Sequence, residues 1–281
     1  MSTEEKNDKN EQAEATEDKN AQTETTEKKD NHPEENADQT NKREEYVFLA
    51  KLYERAERYQ DMADAVNKLI ELNPNLSKDE RNIFSAGYKN LISDKRASWR
   101  LLNSLEKKEL KKKSKQLIYI KEIKNHIEDE LKKIFVNVQN LLDNFLIPNA
   151  QNSENKVFYL TCKADYFRYF SEINIGKDLE DSNEKAEEFY KKAYEISEKE
   201  LPVINSVRIG LCLNFALFYY EVKGEKKKGC DIAKKAFEDS MKYMDDLEKF
   251  KSKDALLLIQ LLKENLIFWN SEMNESEQNE N

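Results

Sequence analysis

The sequence predicts an all-α protein of nine helices in antiparallel succession, and three observations predict it. Only 5 Gly and 4 Pro occur in 281 residues, so the residues that punctuate turns and sheets are scarce. Apolar side chains recur every three and four residues along most of the chain, the period of one helix face and not the alternation of a strand. Charged residues make up 37% of the sequence and hydrophobic ones 38%, the balance of long helices with one wet face and one buried face.

Taken in order, residues 1–42 contain no Val, Ile, Leu, Phe, Tyr or Trp. Nothing there offsets the entropy of ordering, so a disordered acidic arm is expected. From Arg43 the pattern changes to Tyr46, Leu49, Leu52, Tyr53, Ala56 and Tyr59, then Met62, Ala65, Val66, Leu69 and Ile70, enough for two helices closed by Asn73-Pro74. Ser77 with Glu80 three residues on forms a capping box for a long helix through Arg81–Leu102. After the lysine-rich stretch 107–115, helical patterns run over 116–146, closed by Pro148, then 155–175, 182–201 ending at Pro202, and 206–222 stopping at Gly224. Two more, 226–247 and 254–270, complete the set, and 271–281 is expected to be a disordered acidic tail. The helical body is therefore expected to be one domain over residues 43–270.

The formal net charge of −9 is unevenly spread. The arm carries 13 acidic and 6 basic residues and the tail 4 acidic and none basic, which leaves the body at +2. A nearly neutral body is no nucleic-acid footprint. Three cysteines, Cys162, Cys212 and Cys230, are an odd number without close spacing, as expected of small buried hydrophobes in a reducing compartment. There is no apolar N-terminal segment, and the most apolar window, 209–220, is interrupted by Asn214 and too short to span a bilayer. A soluble cytoplasmic protein without membrane contact is expected. Chemistry is hard to place, because the only histidines are His32 and His126 and no GxxxxGK[ST] or GxGxxG occurs. No catalytic residue, cofactor or metal is expected.

One feature of the long third helix demands a partner. Lys89, Arg96 and Arg100 stand seven and four residues apart, within roughly 20° of one line at 100° per residue. Stacked like charges repel, and Asp94 and Glu106 lie off the line. The row therefore needs carboxylates from elsewhere or a bound anion; alone it also fits a solvated basic face. A second cation, Arg168, stands beside Tyr169 and three residues after Asp165, a possible structural pair. Leu213, Asn214, Leu217 and Glu221 share one face of a later helix, and Leu258, Leu261, Asn265 and Phe268 one face of the last. An asparagine within an apolar stripe needs hydrogen-bond partners, and a polar backbone from outside supplies them.

Five blocks resemble the 14-3-3 family in unbroken order: YKNLISDKRASWR at 88–100, FLIPNAQNSENKVFYL at 145–160, DYFRYFSE at 165–172, RIGLCLNFALFYYE at 208–221 and LIQLLKENLIFW at 258–269. The similarity covers residues 43–269. It implies a cup-shaped dimer whose concave amphipathic groove binds phosphoserine or phosphothreonine segments, an adaptor in signal transduction with no catalytic step. By the resemblance, the phosphate pocket falls on Lys89, Arg96, Arg168 and Tyr169, with Arg100 close behind. Peptide-backbone contacts fall on Asn214 and Asn265, with Glu221 and Trp269 alongside, and the apolar wall on Leu213, Leu217, Leu258, Leu261 and Phe268.

The chain departs from the family pattern in places. A position usually basic is Thr161, and the last wall position, usually leucine, is Phe268; both are expected to reshape which peptides fit. At the implied homodimer face, Leu52, Ala56, Arg58 and Asp61 meet Ser98, Leu102, Ile123, His126 and Glu130 of the second copy. Arg58 with Glu130 keeps an ion pair of the family, but His126 replaces the lysine that partners Asp61 and Ile123 replaces a tyrosine, so a looser, pH-sensitive dimer is expected. Ser98 matches a serine whose phosphorylation opens the dimer in some members. A different class is suggested by the similarity of AEEFYKKAY at 186–194 to DIAKKAF at 231–237, a phosphorylation-independent tetratricopeptide-like scaffold, although no 34-residue period runs through the chain.

Overall fold

A computed structural model describes residues 33–113, 115–245 and 252–280, with the side chains of 33–37 and 276–280 left aside. It contains α1 (Pro33–Arg55), α2 (Tyr59–Leu72), α3 (Lys78–Lys112), α4 (Leu117–Leu141), α5 (Ser153–Ser171), α6 (Gly176–Glu200), α7 (Ser206–Leu217), α8 (Lys226–Met241) and α9 (Lys253–Glu280). Single π-helical turns, Leu142–Leu146 and Phe218–Val222, continue α4 and α7. Among the described residues there are nine α-helices and no strand, in agreement with the all-α expectation.

Both ends of the helical body extend past the boundaries expected from composition. α1 begins at Pro33 and not near Arg43, so the last ten residues assigned to the disordered arm are helical; residues 1–32 lie outside the described part. Proline suits the first helical position, where its missing N–H costs nothing. Once the half-buried stretch from Tyr46 has nucleated the helix, each further residue adds a hydrogen bond at little entropic cost, and the exposed Lys42–Asp38 pair at 2.5 Å sits on that added turn. At the other end α9 runs to Glu280, so the expected tail is helical as well. Glu272 holds it down, accepting hydrogen bonds from Tyr220 Oη at 2.9 Å and Lys226 Nζ at 2.6 Å, while Met273 packs on the core. α6 likewise starts at Gly176 and not at Ser182, and the expected end of α8 at Leu247 lies outside the described residues.

The caps explain why α3 starts where it does. Ser77 Oγ accepts from the Glu80 backbone N–H at 3.3 Å, and Glu80 accepts from the Ser77 backbone N–H at 2.7 Å, the reciprocal box read from the sequence. Arg43 of α1 closes over this corner, donating to the carbonyls of Asn73 and Asn75 and to Glu80. The helices then pack in sequential pairs, α1 on α2, α3 on α4, α5 on α6 and α7 on α8, with α5 bridging to α4 and α7 and α9 closing on α7 and α8.

Three apolar clusters follow from that order. The first joins α1 to α5 around Met62, Leu69, Phe84, Tyr88, Leu131 and Tyr159. The second joins α5, α6 and α7 around Phe167, Tyr190, Phe215 and Phe218, and the third joins α7, α8 and α9 around Ile209, Leu213, Ala233, Ile259 and Trp269. α8 approaches α7 so closely that a Cβ on Gly229 would stand 2.8 Å from the Ala216 carbonyl oxygen, which only glycine allows. As expected, Cys162, Cys212 and Cys230 are unpaired and buried. Among the described residues no helix is long and apolar enough to cross a membrane. α3, α5, α7 and α9, the four helices carrying the expected site residues, together line one cavity of about 360 Å³, in which Asn214 and Leu258 are the expected site residues present and the expected phosphate-binding cations lie outside.

Candidate functional site

The cation line of α3 meets α5 at an aromatic ring. The guanidinium carbon of Arg96 lies 4.0 Å from the centroid of Tyr169, and that of Arg168 lies 4.6 Å from the same ring. Two helices thus deliver two arginines to one phenol, where stacking on the ring offsets part of their mutual repulsion. Burial pushes the Tyr169 phenol up to about 12, with Asp165 adding to the rise against the pull of Arg168 and Arg96. It is therefore a neutral O–H donor at pH 7, and among the described residues it donates to nothing.

Each arginine is held from behind by an acid. Glu172, on the turn that ends α5, accepts from Arg96 Nε at 3.1 Å and Arg96 Nη2, and from Arg100 Nε at 3.2 Å and Arg100 Nη2 at 2.7 Å. Burial works against the charge of Glu172, but hydrogen bonds from Arg96 and Arg100 outweigh it and hold the carboxyl below the usual range. Arg168 donates through Nη2 to Asp165 at 3.3 Å and through Nε to Tyr190 Oη at 3.1 Å, and Tyr190 in turn donates to Asp165. Burial opposes the charge on Arg168, yet Tyr190, Tyr169 and Asp165 keep it more firmly protonated than a free arginine. Lys89, two turns before Arg96 on the same line, is exposed and has no ion pair among the described residues. The relief that the α3 row requires is thus a carboxylate from α5 for two of its members and nothing for the third.

The amides behave differently from one another. Asn214 donates one N–H to Asp165 Oδ2 at 2.8 Å, which fixes its amide inside the protein and leaves its second N–H and its carbonyl without a partner among the described residues. Asn265, half-buried on α9, has no side-chain partner among the described residues, and Glu221 is exposed. Trp269, expected beside the amides as a backbone contact, is 2% exposed and stacked on Tyr220 at 4.4 Å within the third core cluster. Leu213 is buried, Leu217 and Leu258 are half-buried, and Leu261 and Phe268 are exposed, the last at 65%. Thr161 is buried at the edge of the cavity and donates to the Val157 carbonyl at 2.7 Å.

Residues of the expected dimer face lie open. Leu52, Ala56, Arg58, Ser98, Ile123 and His126 are exposed, with Asp61, Leu102 and Glu130 half-buried. Within the single chain Arg58 pairs with Asp61 at 2.6 Å and Lys95 with Glu130 at 2.7 Å, while His126 Nε2 stands 3.7 Å from Glu130. Ser98 donates to the Asp94 carbonyl on its own helix.

Sequence reading missed three contributors. Glu172 and Tyr190 carry no local mark of their role, although Glu172 falls one turn after Arg168 and so shares its face. Arg81 begins the helical window without distinction, yet it is 4% exposed, pairs with Glu154 at 2.7 Å, and leaves Nε and Nη1 unpaired beside the cavity.

A family model described as 14-3-3 protein matches residues 49–270. Human 14-3-3 protein beta/alpha is 43% identical over 233 residues, 83% of this chain and 94% of that protein. The 14-3-3-like protein 2 of Caenorhabditis elegans is 43% identical over 230 residues, covering 82% and 92% of the two chains, and a 14-3-3 protein homolog of Trichoderma harzianum is 44% identical over 229, covering 81% and 87%.

Proposed function

The chain belongs to the 14-3-3 family, and from that premise we propose which of its residues bind the phosphorylated segment. The protein is a phosphopeptide-binding adaptor. It acts by clamping or masking phosphorylated partner proteins, without a catalytic step of its own, and works in the cytoplasm. Lys89, Arg96, Arg168 and Tyr169 receive the phosphoryl group, with Arg100 behind them. A phosphomonoester brings about −1.5 to −2 charges and three acceptor oxygens, and charge-assisted hydrogen bonds to it are worth about 1.5–3 kcal/mol each.

The observation that carries this reading is the convergence of Arg96 and Arg168 on the one ring of Tyr169, whose hydroxyl has a free donor, with the unpaired Lys89 two turns earlier on the Arg96 line. The Asn214 carbonyl and the Asn265 amide bracket the flanking backbone, with Glu221 nearby. Leu213, Leu217, Leu258, Leu261 and Phe268 supply the apolar side of the groove, and Trp269 stiffens it from beneath. Phe268 and Thr161 tune which flanking residues fit. A tetratricopeptide-like scaffold gives the phosphate no role, and titrations of one peptide with and without the modification separate the two. At least a hundredfold preference for the phosphorylated form, roughly 2.7 kcal/mol, is expected, lost in Lys89→Glu. Equal affinities would remove the proposal.

The family dimerises, and the exposed face around Leu52, Ile123 and His126 is the proposed contact. Forming it exchanges pairs: Arg58 leaves Asp61 of its own chain for Glu130 of the second copy, and Asp61 takes His126 there. Because that exchange replaces existing bonds, the dimer is loose and depends on the charge of His126, with Glu130 and Lys95 as its nearest charged neighbours.

A further inference from the structure

The three arginines of the phosphate site share a pattern that residue identity alone does not explain. Each is bound along its Nε–Nη2 edge: Arg96 and Arg100 by Glu172, Arg168 by Asp165 and Tyr190. Nη1 of each is without a hydrogen bond among the described residues. A guanidinium fixed by one edge cannot swing, and its remaining N–H groups point in one direction. Asp165 is tied to Arg168 by closeness on α5, but Glu172 reaches across from α5 to α3 and takes both α3 arginines at once.

Two opposite consequences can be drawn from a carboxylate at an anion site. By charge alone it lowers affinity, since an acid beside the cations repels the incoming phosphoryl group. By positioning it raises affinity, since Arg96 and Arg100 are one turn apart, repel each other, and in its absence are free to splay. The geometry favours the second. All four bonds of Glu172 go to the Nε–Nη2 edges, and the face of Arg96 is already taken by the Tyr169 ring, so Glu172 ties the exposed Arg100 to the same carboxylate that fixes the buried Arg96. The Glu172 side chain is only 24% exposed and is not displaced by solvent.

Resting on the phosphate-site reading above, we propose that Glu172 is a positioning residue for phosphopeptide binding, an acid that increases affinity for an anion by immobilising Arg96 and Arg100 with Nη1 free. Immobilising a long side chain on binding costs conformational entropy, and Glu172 meets that cost for two arginines before the ligand arrives.

The test uses the full chain as wild type, Glu172→Gln and Glu172→Asp, titrated with one peptide in phosphoserine and serine forms. Glu172→Gln removes the charge at constant size; Glu172→Asp keeps the charge but is one methylene too short to span both arginines. Positioning predicts that both variants bind the phosphopeptide about tenfold or more weakly, with binding of the serine form unchanged. It also predicts that the Arg96 Nε–H resonance, sharp and dispersed in wild type, collapses into the envelope of free arginines in both. The charge account predicts tighter binding by Glu172→Gln and no change for Glu172→Asp, and that result overturns the proposal. If wild type itself shows no preference for the phosphorylated form, it is the site assignment that fails; if wild type keeps its preference while Glu172→Gln does not weaken it, only the role of Glu172 fails.

Discussion

The sharpest single-atom test of the site is Tyr169→Phe. In the free protein the Tyr169 hydroxyl has no acceptor among the described residues, so deleting it breaks no internal hydrogen bond. The ring, which carries the stacking of Arg96 at 4.0 Å and Arg168 at 4.6 Å, remains. Stability should therefore be unchanged, within the ±0.5 kcal/mol usual for a substitution that removes no contact. With burial pushing its pKa up to about 12, the phenol is protonated throughout the neutral range and donates one hydrogen bond to a phosphoryl oxygen. A hydrogen bond to a charged acceptor is worth about 1.5–3 kcal/mol, so phosphopeptide affinity should fall by about tenfold to a hundredfold. Isothermal titration with paired peptides measures this, and the unphosphorylated peptide should show no change. Tyr190→Phe is the contrast: its hydroxyl links Arg168 to Asp165 in a fully buried position, so that variant should lose stability as well as affinity. A Tyr169→Phe protein that binds the phosphopeptide like wild type, or that melts several degrees lower, would falsify the reasoning, because the hydroxyl would then be either outside the site or part of the core.

Two further outcomes follow from charge. Burial raises the carboxyl of Glu187, but hydrogen bonds from Lys191, Lys223 and Tyr219 outweigh it and hold the group at about 2. Its folded value lies below its unfolded one, so its stabilisation is complete above about pH 4.5 and is lost as pH falls toward 2. Glu187→Gln should cost on the order of 1 kcal/mol at pH 7 after solvent screening, and urea unfolding at pH 7, 4.5 and 3 should show that difference shrinking only below pH 4.5. For the dimer, a protonated imidazole adds an attractive charge opposite Asp61 of the second copy. Sedimentation should find tighter association at pH 6 than at pH 8, and His126→Lys should remove the dependence; a constant that does not move between the two pH values sinks the exchange of pairs.

Much of the fold was legible in order along the chain. Nine helical stretches, the Ser77–Glu80 box, the stops at Pro148, Pro202 and Gly224, and the unpaired cysteines are properties of short windows, and backbone geometry turns them directly into structure. Helix ends were legible only where a breaker marked them. At Pro33 and beyond Ser271 composition argued for disorder, but a nucleated helix propagates through polar residues, and Glu272 docks the far end onto Tyr220 and Lys226.

The sequence by itself determined that Lys89, Arg96 and Arg100 share a line, because a period of 3.6 residues is enough to place side chains on one helix. It also determined that three like charges stacked on that line repel. Only the tertiary structure decided that relief comes from Glu172, 76 residues beyond Arg96, that Asn214 gives one N–H to Asp165, and that Trp269, grouped with the backbone contacts, lies buried on Tyr220. Those facts depend on which helix packs against which, and helical periodicity fixes the face of a residue but carries no information about what that face will meet.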